Sequence, residues 1–207
     1  MTYLRVGMLY FVAQGTRSKG KEETRRLLLD AAIDRMATGE RAINFGAVAE
    51  DVGLTKGAIY HHFGSVDGLV EAVYKDAIRR HAERVIDDSR EGTGRERLHH
   101  IIASSALLLG SDTPFYRTLL RLHVEAGSWR SHLVPITREV QKRQIAYFTA
   151  LVAEGQRDGS IRTDVDAATV GMMINAALQG LLVQQIEPAR DQRQAAERFD
   201  DLLDVLL

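Results

Sequence analysis

Apolar residues recur along this chain at intervals of three and four, and no strand-like alternation persists beyond about five residues. A first helix is predicted from about Lys21 to Thr38. There Leu28, Ala32 and Met36 stand at four-residue spacing with Leu27 and Ala31 beside them, and Gly39 stops the run. Two short helices come next, about Asn44 to Asp51 and Thr55 to His62, separated by Val52-Gly53-Leu54. Ser65 is placed to cap a longer helix reaching about Asp88, whose Leu69, Val70, Val73, Tyr74, Ala77, Ile78 and Val85 form one stripe. Ser89 to Gly94 reads as a loop, and as the joint between two layers of the molecule. Beyond it lie five helical stretches, roughly Glu96–Leu109, Pro114–Ala126, His132–Arg157, Asp166–Gln185 and Asp191–Leu206. Gly155 to Ser160 reads as a breaker, with Asp164 or Asp166 capping the next helix. The fold class is all-α, with about nine helices.

Composition sharpens this picture in places. Three prolines in 207 residues agree with long helices. That length can bury about 70% of the unfolded surface in one large domain or in two unequal ones. The absence of cysteine excludes a disulfide scaffold, a Cys-ligated metal and thiol catalysis. The apolar run from Val6 to Ala13 falls far short of the roughly 20 residues of a membrane span, and no membrane partner is expected. With the single charge of Arg5 before it, the run is also a poor signal peptide, so residues 1–17 are expected to form a flexible leader. A formal net charge of −1 argues, at first sight, against a nucleic-acid partner. The average hides a division: residues 1–64 hold nine Lys/Arg against seven Asp/Glu, and residues 65–207 hold 18 against 21.

The segment from Phe45 to Tyr60 carries the most chemistry. Two short helices crossing steeply need a small residue where they touch, which Ala49 supplies. The turn needs a residue tolerant of positive φ, which Gly53 supplies. Apolar Phe45, Val48, Val52, Leu54 and Ile59 fix the pair together and to the first helix. Thr55 stands at the N-cap of the second short helix, so backbone N–H groups there can face phosphate. Lys56, Tyr60, His61 and His62 project from its exposed side, as a helix lying in a DNA major groove requires. A buried helical hairpin could share this spacing. The adjacent His61 and His62 point about 100° apart with no third ligand near in sequence, so no metal site is expected.

Three blocks resemble the tetracycline-repressor (TetR) family of transcriptional regulators: Thr24 to Ala32, Ala49 to Phe63, and Asp67-Gly68-Leu69. The Thr55-Lys56-Gly57-x-x-Tyr60-x-His62-Phe63 order is the most specific part. The resemblance to the family's DNA-binding domain covers about Lys21 to Lys75, and Glu154 to Asp166 is similar to the loop before the family's penultimate helix. It implies a homodimer with an N-terminal helix-turn-helix and a C-terminal domain that binds a small effector. It further implies that Thr55 and Tyr60 touch phosphates, that Lys56 touches phosphate or a base edge, and that His61 occupies a common contact position. Asn44 falls at a phosphate-facing helix start, and Gly57 where DNA approaches closely. Ser65-Val66-Asp67 departs from the family's frequent Ser-Lys-Glu, removing one phosphate-contacting lysine. Arg17, Lys19 and Lys21, upstream of the first helix, could compensate.

The expected domains are a helix-turn-helix over 18–64, a connecting helix over 65–88, and an effector-binding and dimerisation domain over 89–207. The Asp166–Gln185 helix is apolar nearly all round and so demands burial on every side. A partner copy would cover part of it through Met172, Ala176, Leu182, Val183, Phe199, Leu202, Leu203 and Leu206. Candidate pocket residues are Phe115, Tyr116, Leu120, His123, Trp129, Met173, Asn175 and Gln179, suited to a largely apolar effector. The leading reading is a repressor released from a palindromic operator by such an effector, in the cytoplasm, without cofactor. Against an all-α enzyme stands the absence of His-Glu-x-x-His, a glycine-rich phosphate loop or a paired nucleophile and base. An activator or constitutive regulator of the same fold remains open. With so small a basic excess, DNA binding should be specific, with a modest salt slope.

Overall fold

The computed structural model describes residues 19–38, 44–87, 91–111, 113–184, 201, 203–205 and 207, with the backbone alone at 19, 86, 87, 106–111, 113, 114, 117 and 181–184. Its elements, in chain order, are α1 (Lys19–Ala37), α2 (Phe45–Asp51), α3 (Lys56–Phe63), α4 (Val66–Asp87), α5 (Gly94–Ser111), α6 (Thr113–Ala126), a 3₁₀ turn (Ser131–Leu133), α7 (Val134–Asp158) and α8 (Ala167–Gln184). Among the described residues there is no strand. The leader and most of the final predicted helix lie outside the described residues, although Asp201 and 203–205 are helical. The chain divides into two compact units, Met1–Arg79 and Arg80–Leu207. The division falls inside α4, whose apolar stripe runs from Leu69 to Val85.

In the first unit, Leu28, Leu29, Ala32 and Met36 of α1 are buried together with Phe45, Val48, Ala49 and Ile59 of α2 and α3. The fully buried Ala49 allows the close crossing, and its carbonyl accepts from the Leu54 amide at 2.8 Å. Gly53 takes φ 69°, the left-handed turn that a side chain would strain. Asn44 caps α2, its Oδ1 accepting from the Gly46 amide at 2.9 Å. Ser65 caps α4 in the same way, accepting from the Gly68 amide at 3.0 Å. Across the pair, Arg35 Nη2 donates to Asp51 at 2.9 Å, tying the end of α1 to the end of α2.

In the second unit two boundaries move. The α5 helix starts at Gly94, because Thr93 and Glu96 cap it reciprocally: the Thr93 amide donates to Glu96 at 2.8 Å and the Glu96 amide to Thr93 Oγ1 at 3.3 Å. Gly155 does not break α7. It is buried in the last turn, while the helix ends within the expected 155–160 breaker, and a Cβ on Gly94 would come within 2.4 Å of the Gly155 nitrogen. The glycines are there because two helices cross at backbone distance. The helix stops at Gly159, with φ 81°. A second close crossing joins α8 to α7, since a Cβ on Gly171 would lie 2.6 Å from the Thr149 nitrogen. Asp166 caps α8, accepting from the Thr169 amide at 2.8 Å. The chain does not bury α8 on every side: Val170, Ile174 and Asn175 face inward, but Met172 is 52% exposed and Met173 43%.

Candidate nucleic-acid interface

The exposed side of α3 is built around Tyr60. Its ring meets the edge of buried Phe45 at a centroid distance of 5.2 Å, and the Lys56 ammonium lies 5.9 Å over it. Lys56, Gly57 and His61 are exposed beside it, and Tyr60 itself is 47% exposed. A Cβ added to Gly57 would meet only Thr55 Oγ1, at an ordinary 3.7 Å, so nothing within the fold requires glycine there. Thr55 holds the N-cap position with extended backbone, but its hydroxyl makes no capping bond. The Ala58 amide donates back to the Thr55 carbonyl at 2.9 Å, and the Thr55 hydroxyl caps neither the Lys56 nor the Gly57 amide, a geometry suited to an anionic oxygen.

His62 packs half-buried with its ring 5.5 Å from that of His61. Burial of the ring, then the charges of His61, Lys21 and Arg25, hold its pKa below the ordinary imidazole value. The start of α1 therefore brings its cations alongside α3. Arg25 is not among the residues that the sequence pattern points to, yet its guanidinium sits 5.1 Å over the half-buried Phe63 ring. Its spacing of four from Lys21 is the available signal. Of the expected DNA-facing set, Asn44, Thr55, Lys56, Gly57, Tyr60 and His61 are exposed, whereas Lys21 and His62 are half-buried. The Asn44 carbonyl oxygen is occupied in capping, which leaves its amide nitrogen as the group that could donate outward. Lys19 begins α1, and its side chain lies outside the described residues.

The second unit places the remaining candidates on two helices. Phe115, Tyr116 and Leu120 are buried along α6, and His123 is half-buried, its pKa lowered by that burial. Tyr116 Oη meets His81 Nδ1 at 2.9 Å, and Arg84 lies 5.5 Å over the Phe115 ring. Burial, with a smaller effect of Arg84, pushes the His81 pKa down to about 4. Sequence reasoning misses His81 too, although it falls between Ile78 and Ala82 in the apolar stripe. Asn175 is buried and Gln179 half-buried. Trp129, 70% exposed in the turn after α6, and Met173, on the open side of α8, do not line an enclosed wall of this chain. Met172 and Ala176 are exposed with Met173, and Leu203 is buried. The side chains of Leu182 and Val183 lie outside the described residues, as do Phe199, Leu202 and Leu206.

Residues 28–73, which span the turn, α3 and the first part of α4, match the family model of bacterial regulatory proteins, tetR family. That segment is a TetR-family DNA-binding region. It is 23% identical over 149 residues to the fatty acid metabolism regulator protein of Bacillus subtilis, covering 71% of this chain and 75% of that one. To the HTH-type transcriptional repressor AcnR of Corynebacterium jeikeium it is 27% identical over 160 residues, covering 75% and 74%. Among solved structures, the regulator FadR of Bacillus subtilis in complex with stearoyl-CoA superposes with a TM-score of 0.74. That pair is 19% identical, covers 86% of this chain and 96% of the other, and shows the shared fold. The chain is thus a DNA-binding transcriptional regulator whose helix-turn-helix is α2 and α3. No described helix is long and apolar enough to cross a membrane.

Proposed function

We propose that this TetR-family regulator is a cytoplasmic repressor that occupies a palindromic operator as a homodimer and leaves it when a small effector binds. The observation that carries the DNA reading is α3. Its Lys56, Tyr60 and His61 are exposed around a glycine that the fold does not need, beside the Lys21 and Arg25 cations of α1. In this reading α3 enters the major groove, Thr55, Tyr60 and Asn44 meet phosphates, and Lys56 and His61 reach phosphate or base edges.

Effector binding is assigned to the second unit, and the buried Phe115, Tyr116, Leu119, Leu120 and Leu122 of α6 favour a largely apolar ligand. Asn175 is the buried polar group best suited to orient it; the Tyr116 hydroxyl is already engaged by His81. The exposed Met172, Met173 and Ala176 of α8 supply the face that a second copy would cover. An effector that binds the DNA-incompetent dimer better shifts the population off the operator.

Sequencing the genomic fragments that the protein retains tests the regulator reading. Adding candidate ligands to those complexes tests release, and long-chain acyl-CoA is a first class to try because the B. subtilis relative was solved with stearoyl-CoA. Retained fragments that are released by an effector support repression; fragments bound only in its presence would make the protein an activator. Sedimentation at the mass of one 23.1 kDa chain would refute the dimer.

A further inference from the structure

We propose that Tyr60 is a positioning residue for Lys56, holding the ammonium in place through its ring, separately from any contact its hydroxyl makes. The proposal rests on the reading of α3 as the DNA-contacting helix. Lys56 and Tyr60 lie one turn apart on α3, and the ammonium stands 5.9 Å from the ring centroid. The ring is fixed from behind: Phe45, 3% exposed at the start of α2, meets it edge-on at 5.2 Å and 75°. Three residues from two helices thus form a ladder from the core to the surface.

Lys56 needs such support. It is the first residue of α3, where the positive end of the helix dipole repels a cation and no preceding turn constrains the side chain. A free lysine also has many rotamers to lose on binding. Among the described residues no carboxylate forms an ion pair with it. A carboxylate would orient the ammonium but cancel the charge that a phosphate or guanine edge must meet. A ring face orients it and leaves the charge whole. Tyrosine at position 60 therefore has two separable parts, a hydroxyl that can donate and a ring that narrows where Lys56 points.

A double-mutant cycle on a duplex that the wild-type protein selects from a random pool separates the two parts. Affinity is measured with Tyr60→Leu and Tyr60→Phe, each with and without Lys56→Met. Tyr60→Leu should cost about two- to fivefold more when Lys56 is present than when it is Met, whereas Tyr60→Phe should cost the same in both backgrounds. In the DNA-free protein, NMR should show the Lys56 ε-methylene protons shifted upfield by the ring, unchanged in Tyr60→Phe and lost in Tyr60→Leu. Unaltered melting of each variant confirms the fold, as expected for a half-exposed side chain. Additive effects of Tyr60→Leu and Lys56→Met in a protein that binds, or unshifted methylene protons, would overturn the positioning role alone. A wild type that selects no duplex would overturn the DNA reading and this proposal with it.

Discussion

Gly57 separates what folding needs from what function needs. It sits in α3 with ordinary backbone, and an added Cβ would meet only Thr55 Oγ1 at ordinary contact distance. Gly57→Ala should therefore raise stability by about 0.5–1 kcal/mol in thermal melts, through helix propensity alone. In the proposed reading the same variant should weaken operator binding, because the added methyl would stand where the DNA backbone approaches. His62 makes a second prediction. In the free protein its burial and the nearby His61, Lys21 and Arg25 charges lower its pKa, so protonation is disfavoured until the pH falls below the ordinary imidazole range. A phosphate beside the ring would offset the electrostatic part, so binding would favour the protonated form and affinity should rise as pH falls through and below the ordinary imidazole value. His62→Gln should flatten that profile in mobility-shift titrations. The residues of this site are legible because the helix-turn-helix demands a small residue, a turn glycine and apolar anchors at fixed offsets. Arg25 is not, since its place over Phe63 depends on how α1 packs against α3 and not on local spacing.

At the scale of elements, caps and stripes are readable and crossings are not. Ser65 and Asp166 cap the helices that their positions suggest. Gly155 carries the same sequence signal whether it ends a helix or lets another helix touch it, and only the Gly94 contact distinguishes the two. Within α4 nothing in the sequence marks where one compact unit gives way to the next, because both halves bury the same kind of stripe. The α4–α6 contact has a thermodynamic consequence. His81 is held neutral by burial, with a pKa of about 4 when folded against the ordinary imidazole value when unfolded. The unfolded chain thus binds the extra proton between those two values. Folding stability should fall as pH drops through that window, by about 3 kcal/mol once His81 is fully protonated, and show no such loss above it. Denaturant titrations of His81→Gln should lack this part of the acid destabilisation.

For the whole molecule, the near-neutral charge is an average over a slightly basic reading end and an acidic remainder, which is why it misleads as evidence against DNA. The all-α class and the family are legible from periodicity and one motif. The effector is not, because the walls of an apolar pocket obey the same pattern as any helical core: Phe115, Leu120 and Leu122 are buried whether or not a ligand lies between them. The open face of α8 shows the same limit, since a sequence that is apolar all round announces burial without saying by what. Operator affinity, measured in mobility-shift titrations on genomic fragments that the protein itself retains, bears most directly on the assignment. The wild type should prefer a discrete set of duplexes over scrambled sequence by about a thousandfold or more, and Lys56→Ala and Tyr60→Ala should each weaken that binding with melting temperature unchanged. Equal affinity for every duplex, or unchanged affinity in both variants, would contradict it.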